Sequence, residues 1–289
     1  MDCTYSFIIP HHNSPELLNR CLDSIPARED IQIIVIDDNS QEDKRPRVTR
    51  KDVEILYIDV AHTKGAGHAR NVGLAHAQGK WLLFPDCDDY YAEGFLSILE
   101  KYAVQNIDVL YFNFSRIIEN GLLTDNELQK KLTFFSGTTA EIDFIKYHNN
   151  TPWAKMVKRE YVLAHNMYFE EVPNGNDVLF SLFVASYTEK IAVIPDRLYY
   201  YVKTSGSLAT KKQSNKDLKC RIVHLSQHYS INKLISHPEW NGSRWSSCRV
   251  VYRRNGLFKL IQLFPFIIWI IIFDKKKKNE WSKIIYSHR

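Results

Sequence analysis

Three carboxylates fall within four residues at Asp86-Cys87-Asp88-Asp89, directly after an apolar run. Like charges this close repel one another unless a cation offsets them. Mg²⁺ or Mn²⁺ would do so, since both prefer carboxylate oxygens with phosphate and water filling the shell. Capping of the following helix accounts for one aspartate and leaves two unexplained. A second polar cluster is Asp37-Asp38-Asn39-Ser40, whose residue types also favour simple turns. Its position beside the other clusters points to a nucleotide contact, a carboxylate accepting from a base N–H. The third is Lys64-Gly65-Ala66-Gly67-His68-Ala69-Arg70-Asn71, a flexible backbone followed by a helix start bearing a cation. Backbone N–H groups and an arginine there suit phosphate or a nucleobase edge.

The elements that must position these clusters are legible from apolar runs. Tyr5 to Ile9 is short, β-branched and stopped by Pro10, which predicts a buried strand. Ser14 and Pro15 open a helix with apolar residues at 17, 18, 21, 22 and 25. Further strands are expected over Ile31 to Ile36, Val53 to Val60, Lys80 to Phe84 and Val109 to Phe114, with helices over Ala69 to Ala77 and Glu93 to Val104. Strand and helix alternating in steps of roughly 25 residues predict an α/β fold, a parallel sheet with helices on both faces. Ligands of such sheets sit outside the carboxyl ends of the strands. The segments Pro10-His11-His12-Asn13, Asp37 to Ser40 and Pro85 to Asp89 fall at those ends.

The second half is less regular. A capped helix is expected over Ser136 to His148, a short strand or turn over Trp153 to Arg159, and a polar loop Asn174-Gly175-Asn176-Asp177 opening a helix from Val178 to Tyr187. Ile191 to Ile194 and Leu198 to Val202 read as two strands, Lys203 to Ser207 as a loop, and the chain beyond about Thr210 as a polar, Lys-rich helical stretch. No internal repeat is present.

Composition narrows the function classes. Of 289 residues, 45% are hydrophobic and 25% charged, which excludes disorder as the main state. The net charge of +5 is unevenly spread: Arg253 to Arg289 holds nine basic residues against Asp274 and Glu280, so the first 252 residues sum to about −2. No basic field covers the body, which argues against general nucleic-acid binding. Cys3, Cys21, Cys87, Cys220 and Cys248 form no CxxC pair, which excludes a disulfide scaffold or the usual zinc spacing and fits a reducing compartment. His11, His12, His62, His68 and His76 follow no metal-hydrolase pattern. The glycines Gly65, Gly67 and Gly73 imitate a dinucleotide fingerprint, but the third comes three places late and two other strands precede the loop.

FIIPHHN, IIVIDDNS, GAGHARNVGLAHAQGKWLLFPDCDD, WAKMVKRE and NDVLF, in this order, resemble family 2 glycosyltransferases of the GT-A fold over roughly residues 4 to 210. The resemblance implies a Rossmann-like, mostly parallel central sheet with flanking helices. Its activity would be inverting transfer of a sugar from a nucleotide diphosphate sugar, usually a UDP-sugar, with Mn²⁺ or Mg²⁺. Carried onto this chain, Pro10, His11 and Asn13 resemble the nucleoside-lining loop. Asp38 resembles the carboxylate that reads uracil, and Arg70 the cation near base or diphosphate. Asp86 looks like the ribose-side acid of the DxD motif and Asp88 like the metal ligand, with Asp89 nearby. Asp177 matches the general base, although Asn176 stands where the family usually has Glu. Lys203 is the cation of the segment before Gly206-Ser207, and Trp153 and Lys155 belong to the WAK motif. The implied organisation is a catalytic domain over residues 1–210, with a nucleotide-sugar half (1–115) and an acceptor half (116–210). A helical extension over 211–289 follows.

Within that extension Leu260 to Phe273 is a 14-residue uncharged run, flanked by Arg253-Arg254 and Lys275 to Lys278 and interrupted by Pro265. A bilayer span needs about 20 apolar residues. A helix packed on the catalytic domain, an interfacial segment on an anionic leaflet and a short anchor all remain open, the interfacial reading through residues 253–278 being favoured by Trp269 and the flanking cations. The expectation is therefore a cytoplasmic enzyme, peripheral on the inner face of the cell membrane. Its acceptor would be a lipid-linked glycan of an O-antigen or capsule repeat, by family habit. Two rivals stand beside it. A nucleotidyl or phospho-sugar transferase would carry a Gly-rich phosphate loop after the first strand, where this chain has PHHN. A non-catalytic nucleotide-sugar-binding module would release no UDP.

Overall fold

The computed structural model describes residues 3–58, 63–118, 121–172, 175–203, 218–219, 222, 248, 251–252 and 256–270. The first half alternates as expected: β1 (Tyr5–His11), α1 (Pro15–Asp23), β2 (Ile31–Asp37), β3 (Val53–Tyr57), α2 (Ala66–His76), β4 (Trp81–Leu83), β5 (Tyr90–Tyr91), α3 (Phe95–Ala103) and β6 (Val109–Ile118). The second half adds β7 (Gly121–Leu122), α4 (Glu127–Thr133), α5 (Thr139–His148), β8 (Lys155–Lys158), α6 (Arg159–Ala164), α7 (Val178–Ser186) and β9 (Ile191–Val202). Among the described residues these strands make one sheet in the order β3-β2-β1-β4-β8-β6-β9-β5, with β7 paired to β6.

Strands β1, β2, β3 and β4 are mutually parallel, as their near-continuous apolar runs require of strands buried on both faces. β8 enters antiparallel to β4 and to β6, so β6 again runs the same way as β4, and β9 is parallel to β6. The carboxyl ends of β1, β2, β4, β6 and β9 therefore lie along one edge of the sheet. Because β8 is reversed, its amino end, preceded by Trp153, lies at that same edge. α2 packs tightly behind β1 and β2: a Cβ at Gly73 would come within 2.4 Å of Ile8 Cγ2 and 2.7 Å of Ile36 Cδ1. The core includes Phe7, Ile34, Trp81, Leu99, Phe112 and Phe180.

Several boundaries depart from the sequence reading, each for a local reason. Pro10 does not stop β1, which pairs with β2 through Pro10↔Ile36 and His11↔Asp37; proline is tolerated near a strand end, where it removes one donor. α2 begins at Ala66 rather than Ala69, and the expected end of β3 at Val60 lies outside the described residues. The two strands expected around Pro195 are one strand, β9, with register shifts against β6 around Asn113. α5 starts at Thr139, capped by the Thr138 hydroxyl at 3.3 Å from the Glu141 N–H. The pattern of apolar residues did not announce β5, β7, α4 or α6, all short. The stretch beyond Thr210 lies largely outside the described residues, as do residues 271–289.

Residues 256–270 are helical, so the apolar run is a helix on the described part of its length. Leu263, Ile267 and Ile270 pack with Leu218, Ile222 and Val251 in a second apolar cluster. The same helix exposes Leu257, Phe258, Ile261, Phe264 and Trp269, with Phe258 at 84%. Among the described residues no helix is long and apolar enough to cross a membrane.

Candidate active site

The loops after β1 and β2 are tied to each other before any ligand is considered. His11 is fully buried, with Nδ1 2.7 Å from Asp37 Oδ1 and Nε2 accepting the Ser14 N–H at 3.2 Å. Burial holds its pKa below the ordinary histidine value, against the pull of Asp37, so the ring is neutral at pH 7. The Ser40 hydroxyl donates to Asp37 Oδ1 at 2.5 Å and accepts the Asn13 N–H at 2.8 Å; the Asn13 side chain accepts the Gln41 N–H at 2.8 Å. Asn13 and Asn39 take positive φ of 54° and 58°, a conformation asparagine tolerates in tight turns. Both ring nitrogens of His11 are thus engaged inside the protein. The ring shapes the loop that carries Pro10, buried in β1, and half-buried Asn13.

Asp38 reaches across to the loop before α2, accepting the Lys64 N–H at 2.9 Å and the Gly65 N–H at 2.6 Å. The carboxylate expected to read a base therefore first orders the segment that would close over it, each oxygen keeping a second lone pair for a ligand.

The acidic cluster follows β4. Carboxylate oxygens of Asp86, Asp88 and Asp89 lie within 4.8 Å of one another. Asp89 is buried and doubly satisfied, accepting the Tyr199 hydroxyl at 2.9 Å and the Val202 N–H at 2.7 Å. Tyr199 in turn accepts the Asp86 N–H at 3.0 Å. Asp89 thus anchors the carboxyl end of β9 to the cluster, while half-buried Asp86 and Asp88 face outward. Burial, and then the charge of Asp86, push the Asp88 pKa up to about 6. That is the mark of negative charge without enough compensation, and it fits a hard divalent cation held by Asp86 and Asp88. The nearest cations serve other atoms: Arg20 donates to the Asp88 carbonyl, and Arg70 pairs with Asp86.

Arg70 is the hub. Buried on α2, it donates to an Asp86 oxygen, to Asn176 Oδ1 at 2.8 Å, and lies 5.4 Å from the Phe169 ring centre. The segment carrying Asn176 is fastened to α2 by two bonds between the Asn71 side chain and the Phe169 backbone, at 2.8 and 2.9 Å. It passes so close that a Cβ at Gly67 would fall 2.0 Å from the Glu170 carbonyl oxygen, which explains glycine there. Asp177 sits at the amino end of α7 without capping it by its side chain. Burial, opposed first by Arg70, raises its pKa, and the charge of Asp86 adds to the rise. Asn176 in place of Glu therefore keeps an acceptor for Arg70 while adding no further negative charge.

The remaining expected residues fall on the β8–β9 side. Lys155, fully buried on β8, donates to the Asn149 carbonyl at 2.8 Å and lies 5.5 Å from the Tyr111 ring centre. Burial lowers its pKa to about 7, and Asp177 is the charge that opposes the fall. It supports the loop that carries Trp153. Lys203 follows β9, its side chain exposed and its N–H donating to the Ile117 carbonyl at 2.8 Å. Ser205 to Ser207 lie outside the described residues. Sequence reasoning missed Arg20 and Tyr199. An arginine within an amphipathic helix and a run of tyrosines in a strand carry no spacing signal of their own.

A cation held at this cluster would compete with protonation of Asp88, and the sign follows: ionised above about pH 6, Asp88 is able to ligate; protonated below, it is not. Mn²⁺ should raise the thermal unfolding midpoint at pH 7.5 and lose that effect as pH falls through about 6. An equal shift at pH 5 and pH 7.5 would remove Asp88 as a ligand.

Comparison with known proteins places the fold and the family. The profile of glycosyl transferase family 2 matches residues 6–164. Poly(ribitol-phosphate) beta-N-acetylglucosaminyltransferase TarS of Staphylococcus aureus (strain Mu50) is 24% identical over 245 residues, 80% of this chain and 40% of TarS. UDP-Glc:alpha-D-GlcNAc-diphosphoundecaprenol beta-1,3-glucosyltransferase WfgD of Escherichia coli is 26% identical over 137 residues, 46% of this chain and 54% of WfgD. The chain thus spans about half the length, or less, of these relatives. Residues 1–349 of S. aureus TarS, solved with UDP-GlcNAc, match the fold at a TM-score of 0.62 and 20% identity, over 99% of this chain and 91% of that one. The mannosyltransferase PcManGT of Pyrobaculum calidifontis, solved with GDP-Man and Mn²⁺, matches at 0.54 and 16% identity, over 97% and 83%. With a matched profile over more than half its length and this architecture, the chain belongs to glycosyl transferase family 2 and has the GT-A fold.

Proposed function

We propose that the protein is an inverting glycosyltransferase that moves a sugar from a UDP-sugar to a hydroxyl of a lipid-linked glycan acceptor in surface-polysaccharide biosynthesis, such as an O-antigen or capsule repeat. The observation that carries this reading is the Arg70 bridge, which ties the donor-side carboxylate Asp86 to Asn176, the neighbour of Asp177. Pro10, Asn13 and Asp38 then line the nucleoside, Arg70 and Lys203 supply positive charge toward the diphosphate, and Asp177 is the base. The UDP-GlcNAc bound in the TarS structure and the name of WfgD support a UDP-sugar donor, and the name of WfgD a lipid diphosphate acceptor.

In this reaction the acceptor oxygen attacks the anomeric carbon from the side opposite the diphosphate. The bond from that carbon to the diphosphate oxygen breaks, its electron pair leaves with UDP, and the acceptor proton passes to Asp177. A carboxylate whose pKa is raised by burial is the stronger base for that transfer. A divalent ion, Mn²⁺ or Mg²⁺, bound by Asp86 and Asp88 would neutralise charge developing on the leaving diphosphate. Asp177→Asn should lower turnover by a factor of about 10² or more while UDP affinity, measured by calorimetry, stays within about twofold. Near-normal turnover would exclude Asp177 as the base. Complete loss of activity with EDTA is expected as well.

The exposed row Leu257, Phe258, Ile261 and Trp269, with Arg253-Arg254 and Lys275 to Lys278 flanking it in sequence, supports peripheral attachment to an anionic leaflet on the inner face of the cell membrane. Phe258→Glu with Trp269→Glu should abolish flotation with phosphatidylglycerol vesicles and leave UDP binding intact. Unchanged flotation would favour a helix that serves only to pack on Leu218, Ile222 and Val251.

A further inference from the structure

Trp153, Tyr199 and Tyr201 form an aromatic stack at the ligand edge of the sheet. The indole lies parallel to both phenol rings, 4.9 Å from Tyr199 at 11° and 5.6 Å from Tyr201 at 9°, with Phe114 edge-on at 4.7 Å. Trp153 and Tyr199 are buried, and the Tyr199 hydroxyl is spent on Asp86 and Asp89. Tyr201 differs on both counts. Its ring is only half-buried, and its hydroxyl has no hydrogen-bond partner among the described residues. Tyr201 packs against the same core with part of its ring, but core packing does not account for the open part of that ring or for the hydroxyl.

Position says what the third is for. Tyr201 stands two residues beyond Tyr199 on the same face of β9, next to Val202, whose N–H holds Asp89. Along the strand order, the nucleoside contacts of β1 and β2 lie on one flank of the acidic cluster and β9 on the other. A donor whose base sits beside Asp38 and whose diphosphate sits at Asp86 and Asp88 points its sugar away from β2. The β8–β9 flank is then left for the acceptor. Burial, with the charges of Asp89, Asp88 and Asp86, keeps the phenol protonated and able to donate. Arg116, paired with Tyr201 across the β6–β9 register, spends one N–H on the Thr124 carbonyl at 3.5 Å and keeps the rest of its fork as a second donor.

We infer that Tyr201, held flat by Trp153, is the floor of an acceptor subsite that takes a pyranose ring, the sugar's apolar C–H face on the phenol and its hydroxyls toward the Tyr201 hydroxyl and Arg116. The inference rests on the transferase reading above. It assigns to Tyr201 selectivity for the acceptor, with no part in holding the nucleotide.

Saturation-transfer NMR on the full chain with UDP and Mg²⁺, using methyl β-D-glucopyranoside, methyl β-D-galactopyranoside and methyl N-acetyl-β-D-glucosaminide as probes, tests it. At least one pyranoside should show saturation of its ring protons in the wild type. That signal should fall at least about fivefold in Tyr201→Ala and partly in Tyr201→Phe, which keeps the ring and loses the hydroxyl. The UDP signal in the same samples should stay unchanged, which also shows that the variants are folded. A pyranoside signal that survives Tyr201→Ala, or no signal from any of the three, overturns the subsite. A UDP signal lost with Tyr201→Ala overturns it too, by placing Tyr201 in the donor site. Absence of UDP binding to the wild type would instead strike at the transferase reading itself.

Discussion

A buried guanidinium shared between two segments far apart in sequence organises this site. Arg70 holds Asp86 on one side and Asn176 on the other, with the Phe169 ring beneath it. Removing one partner of a buried charged pair typically costs about 3–5 kcal/mol, because the other charge is left without compensation. The bridge thus fixes the distance between the acidic cluster after β4 and the start of α7, next to the edge-on packing of Phe84 on Phe180 that joins the same two elements in the core. Gly67 permits the approach and Asn71 locks it. These bonds tie α2, the acidic cluster and the start of α7 to one another without a ligand.

The second constraint is topological. The reversal of β8 restores the direction of β6 and β9, so that their carboxyl ends join those of β1, β2 and β4. It also brings Trp153 to the same edge, and the acidic cluster reaches β9 through Asp89 and Tyr199. The three aspartates differ in burial. Asp89 is satisfied by the protein and fastens the sheet, while Asp86 and Asp88 are half-buried and, in the proposed reading, would hold the cation. In sequence Asp86 resembles a ribose-side acid, Asp88 a metal ligand and Asp89 only their neighbour; the structure gives Asp89 a part of its own, as a clamp on β9.

The parallel half was readable because strands buried on both faces must be continuous apolar runs, and because Asp, Asn and Gly clusters punctuate their ends. Asp38, Arg70, Asp86 and Asp88 stood out for that reason, whereas Asp177 was assigned by family resemblance alone; the structure gathers all five along one edge. What could not be read depends on distant partners. The engagement of both His11 nitrogens needs Asp37 and Ser14 placed in space, the role of Asp89 needs Tyr199, and the antiparallel sense of β8 is decided by its neighbours. β1 running through Pro10 was missed because the missing N–H falls near a strand end, where its loss is cheap.

The central claim, that this edge is the donor site of a metal-dependent sugar transfer, meets its most direct test in UDP release. The full chain would be incubated with UDP-glucose, UDP-galactose and UDP-N-acetylglucosamine in the presence of Mn²⁺, with and without excess EDTA, and free UDP measured over time. Slow release from at least one donor, abolished by EDTA, is the predicted result. Binding of UDP without release from any of them would contradict it and make the chain a nucleotide-sugar-binding module on a transferase fold.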